Sequence, residues 1–226
     1  MKPQFFPSQL VPALKETFKL IKEHIVEIIL IISFSALVLY CLNAIPIQHS
    51  LLAISDMRIL TALAGVFIYI VGSSLLIILI LKSEAGLSAS FFQTAHYVLI
   101  RLFPVFFALL FLYIITTVGF LLFIIPGVIF SIAYSQTFNF ALIEGDGPIA
   151  ALKKSWQITK GSKRQLFNIY ALFGFTTGIP LFLIALCISI IFKSPVYSQY
   201  LMTATTSIIF IVFNYVLWKM LKQKGT

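Results

Sequence analysis

The sequence predicts an all-α membrane protein, with six transmembrane helices arranged as three hairpins and each hairpin preceded by an amphipathic helix on the cytoplasmic face. Three observations predict it. Of 226 residues, 60% are hydrophobic and only 10% charged, against about 25% charged in soluble domains. Apolar blocks of span length recur along the chain, and about 20 such residues cross a hydrocarbon core. The basic residues gather in alternate connections, which is the bias that sets membrane topology.

The first block, Ile25–Leu42, follows a stretch in which Val11, Leu14, Phe18, Ile21 and Ile25 recur at helical spacing. Lys15, Glu16, Lys19, Lys22 and Glu23 take the other faces, so this stretch reads as a helix able to lie in the membrane interface. A cleaved signal peptide fits poorly, because the apolar run starts only after these charges and is long enough to span. The second block is Ile59–Leu81, and the next helix carries an apolar stripe of Leu87, Phe91, Ala95, Val98 and Leu102.

The third block, Leu102–Ile143, is long enough for two spans. Pro126-Gly127 offers the turn between them, since proline cannot donate a backbone hydrogen bond and glycine tolerates unusual dihedrals. The return span carries Ser131, Ser135 and Asn139 every four residues, hence on one face of the fourth span, with Tyr134, Gln136 and Thr137 broadening the polarity. Such residues avoid lipid. They either bond neighbouring helices or line a polar path. Gly145 eases the exit and Pro148 suits a first helical position. Ile149, Leu152 and Trp156 then oppose Lys153, Lys154 and Lys160 on another amphipathic helix. The fifth span, Leu166–Phe192, holds Gly174, Gly178 and Pro180, read as close packing or a kink. The sixth, Leu201–Leu221, has Asn214 and Lys219 late in it.

With both termini in the cytoplasm, every Lys and Arg except Arg58 and Lys193 falls on the inner side. The net charge of +9 is then this bias plus attraction to anionic headgroups, and needs no nucleic acid. Residues 1–226 read as a single polytopic domain of a bacterial cytoplasmic (inner) membrane.

Two of the inner helices also align with each other. PALKETFKLIK (Pro12–Lys22) lies over AALKKSWQITK (Ala150–Lys160), matching Ala13, Leu14, Lys15 and Lys22 to Ala151, Leu152, Lys153 and Lys160. The simplest architecture is therefore three units of interfacial helix plus hairpin, and such repeats often surround a transport pathway.

The stretch IIPGVIFSIAYSQTFNFALIEGDGPIAALKKSWQITKG combines Ile-Pro-Gly, a span ending in an acidic residue and glycine, Ala-Leu-x-x-Ser-Trp and Thr-x-Gly. This pattern resembles that of YciC-like bacterial six-span membrane proteins and of the membrane domain fused to some glycerophosphodiester phosphodiesterases. The resemblance implies an integral bacterial membrane protein and no established activity. The catalytic barrel of those fusions is a separate soluble domain, which this chain could not encode.

The candidate sites follow from polarity at unusual depth. Ser131, Ser135, Gln136 and Asn139 are the interhelical or pathway face. Glu27 and Glu144 are the acids nearest membrane depth, placed to pair with Arg101, Lys153 or Lys154, or alternatively to couple protons through a shifted pKa. Lys153, Lys154, Trp156, Lys160, Lys163 and Arg164 form the densest basic cluster, suited to headgroups or a partner. Cys41 and Cys187 both fall towards the outer side, where a disulfide could form. Two cysteines and three scattered histidines have no metal-ligand spacing, and HExxH, GxSxG and Walker motifs are absent. The expectation is a non-enzymatic module without cofactor, serving envelope or lipid homeostasis by binding lipid, a protein partner or a second copy. A small transporter or lipid flippase with a path along the fourth span is the alternative.

Overall fold

The computed structural model describes residues 10–31, 33, 51–87, 91–192 and 195–225. Among these the regular structure is helical throughout, without strands. The helices are α1 (Leu10–Glu23), α2 (Leu51–Glu84), α3 (Phe91–Leu122), α4 (Ile124–Ala133), α5 (Pro148–Thr159), α6 (Lys163–Phe192) and α7 (Pro195–Gly225). A short segment between α4 and α5 joins Thr137–Asn139 to a π-helical turn, Phe140–Glu144. Four stretches among the described residues are long and apolar enough to cross a membrane: Leu63–Glu84, Phe92–Leu122, Ile124–Glu144 and Lys163–Ile184. This is compatible with a membrane protein. Most of the expected first span, and Cys41 with it, lies outside the described residues.

The chain divides into two compact units, one of Met1–Glu23 with Leu99–Thr226, the other of His24–Val98. In the second unit Ile70, Leu76, Ile77 and Ile80 of α2 are buried. Ile31 approaches Gly72 so closely that an added Cβ would lie 3.0 Å from its methyl. Lys82, at the end of α2, donates to the Thr94 hydroxyl at 3.1 Å.

In the first unit α7 packs against α6, α1 and α5. Phe173 and Phe213 stack at 3.9 Å between ring centroids across the α6–α7 contact. The face of α1 that is buried is Ala13, Thr17 and Leu20. Val11 and Phe18, of the apolar stripe read from the sequence, are exposed at 53% and 52%, which leaves them free to face lipid. The aligned helix α5 buries the corresponding Ala151 and Ser155. Both helices end in a tight turn, at His24 after α1 and at Lys160–Ser162 after α5, where Gly161 has φ +84°.

Two expectations are corrected. Among the described residues no separate helix precedes the third span, which opens the second hairpin, because α3 runs unbroken from Phe91 to Leu122. Its stretch from Phe91 to Phe103 contains neither glycine nor proline, whereas α5 stops at Lys160-Gly161. Of the stripe assigned there, Val98 is the one residue buried among those whose side chains are described, and Thr94, Val105 and Ala108 of the same helix are buried as well. The hairpin turn, in turn, is not at Pro126-Gly127. The helix breaks at Phe123, whose backbone is extended (φ −162°, ψ 155°). Pro126 sits in the first turn of α4, where the missing N–H costs nothing. Gly127 is there for proximity: a Cβ on Gly119 would come 3.0 Å from the Gly127 Cα, so the two helices of this hairpin cross through glycine.

Candidate functional site: the broken fourth segment and its basic corner

The fourth segment is not one helix. α4 ends at Ala133, a turn covers 134–136, and the chain resumes through Thr137–Asn139 into the π turn. A break in so apolar a setting frees backbone groups that have no water to bond, and they must find protein partners. The partners come from α5. The Gln136 N–H donates to the Ser155 hydroxyl at 3.1 Å. Ser155 and Thr159 both donate to the Ala133 carbonyl, each at 3.0 Å. Ser155 and Thr159 belong to the Ser-Trp and Thr-x-Gly elements of the pattern read from the sequence, and satisfying the break is their physical task here.

Side chains complete the junction. Gln136 is fully buried, and its amide donates to Tyr170 Oη at 3.1 Å and to Asn214 Oδ1 at 3.2 Å. Tyr170 donates to the same Asn214 oxygen at 2.6 Å. Asn139 Nδ2 donates to Gln136 Oε1 at 3.0 Å and to the Asn214 carbonyl at 3.3 Å. The network thus ties the break to α6 and α7. The polar face read from the sequence divides accordingly. Gln136 and Asn139 are in the network, and Ser135 touches it through Gln136 Nε2 at 3.4 Å. Ser131 is not, since its hydroxyl donates to the Gly127 carbonyl of its own helix at 2.9 Å. The every-fourth spacing that placed Ser131, Ser135 and Asn139 on one face fails because the helix is interrupted between them. Asn214 and Tyr170 were not singled out as site residues. The polarity of Asn214 within an apolar block was the one available signal for it, and Tyr170 carried none.

At the end of the π turn Gly145 adopts a left-handed conformation (φ +72°), closing it as glycine commonly does. The Arg101 guanidinium occupies the space a side chain would need, 2.5 Å from a Cβ built on Gly145. From there it donates to the carbonyls of Leu142 at 2.9 Å and Ile143 at 3.1 Å, a cation on the negative end of a helix.

Glu144 pairs with Lys154 and with Lys222 of α7, each at 2.9 Å. Asp146 joins through Lys154 at 2.7 Å. The two carboxylates, Asp146 foremost, hold the Lys154 ammonium above the usual lysine range. A raised folded-state pKa means the pairing is fully present below the ordinary lysine pKa and is lost as the pH climbs through the raised value. On the Lys154 side the pairing is therefore intact near neutrality. Glu27 lies in the other unit, 3.8 Å from Nδ1 of buried His24.

The remaining basic residues are disposed differently from Lys154. Lys153, Lys160 and Arg164 are exposed, and none has a carboxylate partner among the described residues. The Lys163 ammonium stands 3.3 Å from the centroid of the Trp156 ring. Trp156 in turn packs on Tyr134 at 5.5 Å and Phe130 at 6.4 Å, so the basic corner rests on the α4 side of the break. Gly174 and Gly178 meet nothing within 4 Å among the described residues, and the close-packing role read for them is not observed. Cys187 is exposed as a free thiol. No group of residues able to hold a metal ion occurs among the described residues.

No protein-family model, curated protein or solved structure matches the chain.

Proposed function

We propose that the chain is a six-span protein of a bacterial cytoplasmic membrane, with both termini inside, and a non-catalytic module of the YciC-like kind that acts in envelope or lipid homeostasis by holding anionic lipid. One observation carries this reading. Gln136 and Asn139 of the fourth segment bond each other and Asn214, and α5 satisfies the broken backbone, while Lys153, Lys160 and Arg164 are exposed without a carboxylate partner among the described residues. Polarity inside is thereby accounted for by packing, and charge outside by recognition.

Orientation has its own check. In a background lacking both cysteines, a maleimide probe should reach Phe123→Cys from the periplasmic side, and Lys153→Cys only after permeabilisation. Periplasmic labelling of Lys153→Cys would overturn the arrangement. For the function itself, the full chain should carry anionic phospholipid through detergent purification, enriched over its share of the parent membrane. A lipid complement matching the bulk membrane would contradict the reading.

A second reading, a small transporter or lipid flippase, has one observation in its favour. Asn139 Oδ1 and Thr137 Oγ1 are buried in the break without a hydrogen-bond partner among the described residues. Interrupted helices line the substrate sites of many transporters. Solute or lipid movement that is lost in a stable Asn139→Leu protein would favour it.

A further inference from the structure

We infer that the corner formed by Lys160, Lys163 and Arg164, together with the α6 face below it, is a discrete seat for one anionic phospholipid; this rests on the lipid-holding reading above. Lys154 does not contribute, since Glu144 and Asp146 already neutralise it. Three cations within five residues, without a carboxylate partner among the described residues, leave a concentrated positive site at the turn from α5 into α6. The Trp156 ring fixes the Lys163 ammonium and supplies an amphipathic surface of the type that favours the headgroup level.

The occupant is set by what lies beneath. Arg164, Ala171, Phe175 and Phe182 recur at seven- and four-residue steps, on one face of α6. Phe175 is 68% exposed, Phe182 54% and the neighbouring Ile179 55%. At 1.5 Å per residue, Phe175 lies about 16 Å below Arg164, about the depth of one leaflet of a 30 Å core. The face is thus cationic at one end and apolar for the length of an acyl chain. Free phosphate or an acidic peptide would need only the upper end.

The test compares spin-labelled phosphatidylglycerol with spin-labelled phosphatidylcholine for association with the full chain in phosphatidylcholine bilayers. The unaltered protein should prefer phosphatidylglycerol roughly tenfold, since each of the three cations contributes at most about a fivefold factor and about twofold once screened. Arg164→Gln should reduce the preference about twofold, and the triple change Lys160→Gln, Lys163→Gln, Arg164→Gln should abolish it. Removing the same charge from α1, as Lys15→Gln, Lys19→Gln, Lys22→Gln, should leave it intact. An equal loss from the α1 variant would reduce the effect to diffuse attraction and overturn the seat. So would undiminished preference in both corner variants, or its removal by millimolar soluble glycerol phosphate. Absence of any preference in the unaltered protein would instead sink the lipid-holding function itself.

Discussion

Gly145→Ala should destabilise the protein by about 3 kcal/mol. Two costs combine. A left-handed residue with a Cβ is disfavoured by about 1–2 kcal/mol, and Gly145 stands at φ +72°. The new methyl would also lie 2.5 Å from the Arg101 guanidinium and drive it off the carbonyls of Leu142 and Ile143. Charge-assisted hydrogen bonds are worth about 1.5–3 kcal/mol. Unfolding in detergent measures the sum. In an Arg101→Ala background the second cost has already been incurred, so Gly145→Ala should then add only about 1–2 kcal/mol. Full additivity would mean that the arginine does not depend on the missing side chain.

Gln136→Leu is expected to cost about 2 kcal/mol. It removes the side chain that links the break to Tyr170, Asn214 and Asn139 at once. A hydrogen bond between membrane helices averages about 0.6 kcal/mol, but a buried partner left unsatisfied costs about 1–3 kcal/mol, and the Asn139 amide loses a partner here. Ser131→Ala provides the contrast. Its hydroxyl bonds only its own helix, so the change should stay within about 0.5 kcal/mol. Comparable losses from the two substitutions would show that polarity along this segment acts through something other than the network.

Much of the fold can be read from hydropathy, because an apolar run of this length has few alternatives to a helix. What sequence could not locate were the interruptions. Pro126-Gly127 looks like a turn, but a proline in the first turn of a helix and a glycine at a helix crossing give the same dipeptide, and only the position of Gly119 decides between them. The regular spacing of Ser131, Ser135 and Asn139 presupposed a helix that the turn at 134–136 breaks. That break is legible only once Ser155 and Thr159 are known to be near, and their nearness is a tertiary fact. The same holds for the charges. Lys153 and Lys154 are adjacent in sequence, and the helical step alone sends Lys154 to Glu144 and Asp146 and Lys153 to the surface.

The claim that this polar junction stitches the bundle together is tested most directly by a double-mutant cycle on Gln136 and Asn214. Gln136→Leu, Asn214→Leu and the pair together would be unfolded in detergent under identical conditions. The account predicts that the pair costs less than the two singles added, with a coupling of about 1 kcal/mol, because each single change leaves the other side chain buried without its partner. Simple additivity would contradict it and show that the amides 3.2 Å apart do not stabilise one another.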